Sequence, residues 1–266
     1  MDFMVILKAL LVLGILGGVF GAILAFASKI FAVEVDPKQE AVRECLAGAN
    51  CGGCGYPGCD GYAAAVAKGE APVNKCVAGG AEAAAKIGEI MGVSAGDAIR
   101  QVAFVPCSGT EGHALKRFNY NGPKNCQAAM LFGGKSNMDC RFACIGLGNC
   151  ADACQFGAMH IVDGVAKVDR EQCVGCGACV DVCPKKIVRL VPYDQHVEVA
   201  CSSHDKGAAV NKICDAGCIG CMKCQRECPA DAIVVVDNLA KIDVTKCVQC
   251  GHCSDICPRH IIKVQN

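Results

Sequence analysis

Cys218-Ile-Gly-Cys221-Met-Lys-Cys224-Gln-Arg-Glu-Cys228-Pro229 decides how this chain is read, and Cys247-Val-Gln-Cys250-Gly-His-Cys253-Ser-Asp-Ile-Cys257-Pro258 repeats it after 18 intervening residues. Both are the C-x2-C-x2-C-x3-C-P run that holds [4Fe–4S] cubanes. A cubane needs four thiolates at the corners of a tetrahedron. Three closely spaced cysteines on one tight loop supply three corners. A short loop cannot wrap the whole cluster, so the fourth comes from elsewhere, and in this pattern the last cysteine of each run serves the other cluster. Cys218, Cys221 and Cys224 therefore pair with Cys257, and Cys247, Cys250 and Cys253 with Cys228. Pro229 and Pro258 turn the chain just after the crossover ligand, with φ set and no N–H to satisfy.

The whole chain has 266 residues, with 25 cysteines, no Trp and four Tyr. Cysteine at this level in a short secreted chain signals a disulfide scaffold. Cysteines two and three residues apart in repeated triplets suit metal instead, and a cytosolic setting keeps them as thiols. With aromatics scarce, the conventional core is thin and metal supplies much of the folding energy. Lys+Arg and Asp+Glu balance at 26 each, which disfavours nucleic acid as a partner.

Residues 1–30 read as a membrane anchor. Ala9 to Ala27 are 19 uncharged, mostly apolar residues, close to the ~20 that cross a bilayer. Gly14, Gly17, Gly18 and Gly21 form a small-residue stripe where another membrane helix can pack. A cleaved signal peptide is the competing reading, since Ala25-Phe-Ala27 resembles a cleavage site. Asp2 at the start, in place of a basic run, argues against it. Lys29, Lys38 and Arg43 after the span favour a single-pass protein with its body on the cytoplasmic side of the cell membrane.

Residues 36–100 read as a small α-rich domain with one cluster. Asp36-Pro37 starts a helix. Asn50-Cys51-Gly-Gly-Cys54-Gly-Tyr-Pro-Gly-Cys59 then opens a C-x2-C-x4-C-x16-C pattern that ends at Cys76. Helices are expected from Tyr62 to Lys68 and from Ala81 to Met91. Zinc is the competing occupant of four such cysteines. Cys45 lies outside the spacing and reads as a small buried hydrophobe.

Residues 101–190 form a first ferredoxin-like unit with a lead-in, and residues 191–266 a second. Cys173, Cys176, Cys179 and Cys183-Pro184 make a clear run, which the crossover rule joins to Cys154. The preceding Cys140, Cys144 and Cys150 have irregular gaps and pair with Cys183. Asp163-Gly164 and Asp237-Asn238 place a hairpin inside each unit. His113, Lys116, Arg117, Lys124 and Lys135 form a basic stretch with no acid between them. It is either a solvated loop or a dock for an acidic electron donor. The fold class is α+β.

The lead-ins repeat as well: Val105-Pro-Cys107-Ser-Gly parallels Val199-Ala-Cys201-Ser-Ser, and each is followed by Cys126 or Cys214. Five cubanes use twenty cysteines. Cys107, Cys126, Cys201 and Cys214 then remain, with Cys45. The four either hold a sixth cluster between the halves or stay as thiols. A further reading has Cys126 or Cys214 replacing a ligand of the irregular set.

The anchor, then Gly48-Ala-Asn-Cys51-Gly-Gly-Cys54-Gly-Tyr-Pro-Gly-Cys59-Asp-Gly61-Tyr62, then ferredoxin units, resembles the B-subunit family of the Rnf complex, in its longer form with two such units. The resemblance covers the whole chain. It implies an electron-transfer subunit of a membrane ferredoxin:NAD+ oxidoreductase coupled to translocation of Na+ or H+, with reduced ferredoxin as donor and other complex subunits as partners. The residues agree in one respect: there is no dinucleotide fingerprint and no spacing of histidines that suggests a ligand set or a base, so the chain is expected to relay electrons and do no bond chemistry of its own. Electrons are expected to arrive at a ferredoxin unit and leave from the Cys51/Cys54/Cys59/Cys76 site. The alternatives are a free-standing membrane-tethered polyferredoxin and a zinc-built scaffold.

Overall fold

The computed structural model describes residues 3–30, 36–96, 99–131 and 136–265. The apolar stretch is one helix, α1 (Phe3–Ile30). Leu13, Ile15, Leu24 and Phe26 stand exposed along it. Leu11–Ser28 is long and apolar enough to cross a bilayer. So much exposed apolar surface is characteristic of a helix meant for lipid or another apolar partner.

Three helices build the next domain: α2 (Pro37–Cys45), α3 (Gly58–Ala67) and α4 (Gly80–Met91). Asp36 caps α2 by accepting from the Lys38 N–H at 2.9 Å. Gly92 closes α4 in the left-handed conformation, φ 68°, where a glycine carries no Cβ penalty. Val42, Tyr62, Val66 and Ile87 form the core between them. This core is thin, and Cys54, Cys59 and Cys76 are part of it.

The remaining elements fall into two matching series. The first is β1 (Gln101–Phe104), α5 (Cys126–Leu131), α6 (Asn149–Asp152), β2 (Met159–Val162), β3 (Val165–Val168), α7 (Ala178–Asp181) and β4 (Arg189–Pro192). The second is β5 (Val197–Val199), α8 (Gly207–Ile213), α9 (Lys223–Arg226), β6 (Ile233–Val236), β7 (Leu239–Ile242), α10 (His252–Asp255) and β8 (Ile262–Val264). In each series the central hairpin is antiparallel: Met159 faces Val168, and Ile233 faces Ile242. The turns put Asp163, Gly164, Asp237 and Asn238 at positive φ, as a two-residue hairpin turn of this hand requires. The outer strands pair too, β1 with β4 and β5 with β8. The strand leading into each unit is thus closed by the strand leaving it, Gln101 facing Pro192 in the first unit.

The units meet along a seam. Leu115 N–H donates to Ile213 C=O at 2.8 Å, Asp215 N–H to His113 C=O at 3.0 Å, and Ser202 Oγ to Pro106 C=O at 2.8 Å. Arg141 pairs with Asp205 at 2.9 Å. Arg170 is buried and donates to the Tyr193 and Gln195 carbonyls and to Gln265 Oε1. It ties the first unit to the end of the second.

Candidate metal centres

Four cavities in the two units are each lined by four thiols. Cys154, Cys173, Cys176 and Cys179 share one of about 350 Å³. Cys218, Cys221, Cys224 and Cys257 share another of about 350 Å³. Both groups are those expected from the crossover spacing. Cys126, Cys144, Cys150 and Cys183 line a third, about 380 Å³. Cys107, Cys140, Cys201 and Cys214 line the fourth, about 390 Å³. In these last two the structure departs from the spacing argument: Cys140 and Cys126 have changed places. The reason is tertiary. Asn149 Oδ1 accepts the Cys126 N–H at 2.5 Å, seating the start of α5 beside Cys150. Cys140 lies instead on the seam with the second unit.

A signal for this exchange is present in the repeat. Cys140 precedes Cys144 by four residues, as Cys214 precedes Cys218. Cys140 and Cys214 are therefore equivalent, and so are Cys107 and Cys201. The first unit has Leu147 near the place of Cys221, and Cys126 supplies the missing thiol from outside the run.

The two other expected groups gather as well, except that Cys51 is not among the thiols packed into the N-terminal core. Cys253 has Cys247, Cys250 and Cys228 as neighbours. Cys54, Cys59 and Cys76 pack into one core. Asn50 Oδ1 accepts the Cys59 N–H at 2.8 Å. Tyr62, 1 % exposed, donates to Pro72 C=O at 2.7 Å and accepts from Lys75 N–H at 3.1 Å, which fixes the approach to Cys76. Cys45 is half-buried against the same core.

The pockets are dry places for charge. Burial pushes the Cys144 and Cys179 thiols up to about 12, and those of Cys150, Cys201, Cys224 and Cys253 up to about 11. Neighbouring thiols add to the shift at each of them. Metal binding must displace those protons. Backbone N–H groups already aim at sulfur to help: Ala103 at Cys173 Sγ (3.3 Å), Cys144 at Cys107 Sγ (3.5 Å), Cys218 at Cys201 Sγ (3.3 Å) and Ala232 at Cys228 Sγ (3.4 Å). Among the described residues no three His, Cys, Asp or Glu side chains close round a single ion. Tetrahedral zinc would bring sulfurs to about 3.8 Å of one another, given Zn–S of about 2.3 Å. Four thiols that line one pocket without closing round a single ion suit a larger inorganic body.

The basic stretch is less basic in three dimensions. Lys116 pairs with Glu111 at 2.7 Å and Arg117 with Asp139 at 3.3 Å, acids that lie just outside the stretch in sequence. Lys124 is exposed, and Lys135 lies outside the described residues.

Thiol-lined cavities of one size, arranged on paired hairpin units, define an iron–sulfur protein of the ferredoxin class. Comparison with known proteins agrees. Residues 143–187 and 217–262 each match the family described as "4Fe-4S dicluster domain", and residues 46–78 that described as "Putative Fe-S cluster". The chain is similar to the B subunit of the ion-translocating oxidoreductase complex of Methanosarcina acetivorans, 41 % identical over 98 % of this chain and 99 % of that one. It is also similar to the B subunit of the Na(+)-translocating ferredoxin:NAD(+) oxidoreductase complex of Acetobacterium woodii, 47 % identical over 94 % of this chain and 75 % of that one. The B subunit of the proton-translocating ferredoxin:NAD(+) oxidoreductase complex of Clostridium ljungdahlii is 41 % identical, over 97 % of this chain and 92 % of that one. The chain belongs to the family of B subunits of ion-translocating, Rnf-type oxidoreductase complexes, and it is an iron–sulfur electron-transfer subunit.

Proposed function

We propose that the chain accepts electrons from a reduced ferredoxin and passes them to membrane partners of an ion-translocating complex. Five [4Fe–4S] sites are assigned: Cys51/Cys54/Cys59/Cys76, Cys126/Cys144/Cys150/Cys183, Cys154/Cys173/Cys176/Cys179, Cys218/Cys221/Cys224/Cys257 and Cys228/Cys247/Cys250/Cys253. When bound, each cluster supplies one-electron chemistry at low potential, because all-cysteine ligation lacks the imidazole that raises it.

The observation that carries the reading is the order of contacts. Gly53, between Cys51 and Cys54, lies so close to Cys176 that a Cβ on it would meet the Cys176 carbonyl oxygen at 2.8 Å. Cys51 is a neighbour of Cys176, Cys179 of Cys150, and Cys253 of Cys224. The domain next to α1 therefore abuts the first unit, and the second unit lies at the far end of the series. Cys221 and Cys250, both in that second unit, are the exposed thiols of the chain. Lys223 and Lys246 are exposed near them in sequence, Lys223 with no ion-pair partner among the described residues and Lys246 close to the Asp243 carboxylate. An acidic donor would meet its shortest approach to sulfur there, and the field of those cations would raise its encounter rate. In the bilayer α1 acts as a single-pass anchor, with the body on the cytoplasmic side.

Anaerobic full-length chain in detergent tests the proposal. Reduced ferredoxin should bleach the visible absorbance of the clusters. Cys54→Ala should stop onward transfer to the partner subunits while the outer sites still reduce. Loss of outer reduction as well would reverse the order, and a colourless, iron-free chain would end the reading. Purification without integral membrane partners would favour a free-standing polyferredoxin.

A further inference from the structure

We infer that Cys107, Cys140, Cys201 and Cys214 hold a sixth [4Fe–4S] cluster in the seam between the two ferredoxin units. The inference rests on the iron–sulfur reading of the five sites above and extends it to cysteines that lie outside every family match, since those matches span residues 46–78, 143–187 and 217–262.

The donor set is complete and symmetric. Each half supplies one thiol from the segment after its first strand, Cys107 after β1 and Cys201 after β5. Each supplies a second, four residues before its first run, Cys140 and Cys214. Neither half can close a tetrahedron alone, and the seam brings the two pairs together. Cys140 and Cys107 are both neighbours of Cys214, and Cys140 is a neighbour of Cys201. A Cβ built on Gly109 would sit 3.7 Å from both Cys107 Sγ and Cys214 Sγ, so those sulfurs are at most 7.4 Å apart (twice 3.7 Å). The same Cβ would press on Ala114 at 3.0 Å, so the glycine keeps the cavity wall thin. At about 390 Å³ the cavity matches the 350–380 Å³ of the three thiol-lined cavities assigned above.

The hydrogen bonds around the site repeat with the same symmetry. The N–H of Cys144 points at Cys107 Sγ, and the N–H of Cys218 points at Cys201 Sγ. Each donor is itself a cysteine of a neighbouring set, Cys144 with Cys126, Cys150 and Cys183, and Cys218 with Cys221, Cys224 and Cys257. The seam site is thus joined by a single hydrogen bond to a cluster site on either side. Ser203 N–H adds a further contact to Cys201 Sγ at 3.4 Å. Phe142 lines the cavity and meets His204 edge-on at 5.5 Å, and the Arg141–Asp205 pair spans the same joint. Without an occupant, four half-buried or buried thiols would face one another in a dry space. Without this site, electrons passing from the second unit to the first would cross the seam with no group between the Cys218 and Cys144 sets.

Anaerobic iron and sulfide quantification on the full chain decides the matter. Six cubanes give about 24 iron atoms per chain and five give about 20. Cys201→Ala/Cys214→Ala should fall from about 24 to about 20 iron atoms, four being the content of one cubane. Adding Cys140→Ala to that variant should leave about 20, whereas adding Cys126→Ala should remove about four more. A wild-type content of about 20, or no loss in the double variant, overturns the sixth site and leaves the five-site reading intact. A further loss with Cys140→Ala and none with Cys126→Ala overturns the ligand set. Wild-type chain far below about 20 iron atoms overturns the parent reading instead. If the variants do not fold, the wild-type count of about 24 or about 20 still decides.

Discussion

Gly53→Ala isolates the contact that seats the N-terminal domain on the first ferredoxin unit. Gly53 is absent from the residues with positive φ, so alanine carries no backbone strain there and the perturbation is packing alone. The new Cβ would lie 2.8 Å from the Cys176 carbonyl oxygen, 2.9 Å from Cys176 Cα and 3.0 Å from Val77 Cγ2. Two of the three are backbone atoms that cannot rotate away. Reaching 3.4 Å, the start of ordinary contact, needs the loops to part by 0.6 Å (3.4 − 2.8). Overpacking of this kind costs about 1–3 kcal/mol. At about 2 kcal/mol the local opening equilibrium rises about thirtyfold. Hydrogen exchange on the cluster-loaded chain reads this directly, because exchange tracks local opening. Residues 46–78 should lose protection by that factor while the second unit keeps its own. Reduction of the N-terminal site by an outer donor should slow in step, with iron content unchanged. Val77→Ala should not rescue the variant, since the backbone contacts remain. Unaltered exchange over 46–78, or equal loss throughout the chain, would refute the claim that this contact seats the domain.

Four further expectations are independent of that contact. Tyr62→Phe removes the hydroxyl that joins Pro72 C=O and Lys75 N–H, both on exposed residues that water can reach, and should cost about 0.5–1.5 kcal/mol, read as a lower thermal midpoint and faster iron loss from the Cys76 site. Lys185 is a half-buried cation close to both Cys140 and Cys183, and burial holds its pKa below the usual lysine range. Lys185→Met should make the neighbouring sites harder to reduce, by on the order of tens of millivolts after solvent screening, as redox titration followed by EPR would record; unchanged potentials would remove it from that role. Lys223→Glu/Lys246→Glu should slow reduction by ferredoxin at low salt by roughly tenfold and flatten the salt dependence, measured by stopped-flow absorbance. Lys116→Gln should change little, because Glu111 already neutralises that cation; the opposite ranking would move the docking face to the 113–135 stretch.

Much of this architecture is local and therefore readable in the chain itself. Three thiols within seven residues, as in Cys218, Cys221 and Cys224, can only present themselves together, whatever surrounds them. The hairpin turns at Asp163-Gly164 and Asp237-Asn238, the cap at Asp36 and the apolar length of α1 are decided within a few residues by sterics and hydrogen bonding. Charge was less readable. The cations of the 113–135 stretch look unopposed along the sequence, but Glu111 and Asp139 reach two of them once the chain folds back.

The sequence by itself determined that thiol loops, paired hairpins and one apolar helix would form, since each is set by neighbours in the chain. The crossover spacing also named the distant cysteine for two rings, Cys154 and Cys257, whereas the places of Cys126 and Cys140 were decided only by tertiary structure. Cys126 reaches Cys150 because Asn149 holds the start of α5, and Cys140 faces Cys201 and Cys214 because two units meet at a seam. Where a run is regular, spacing names all four corners of the tetrahedron; where its gaps are irregular, the missing corner depends on where separate elements come to rest against one another.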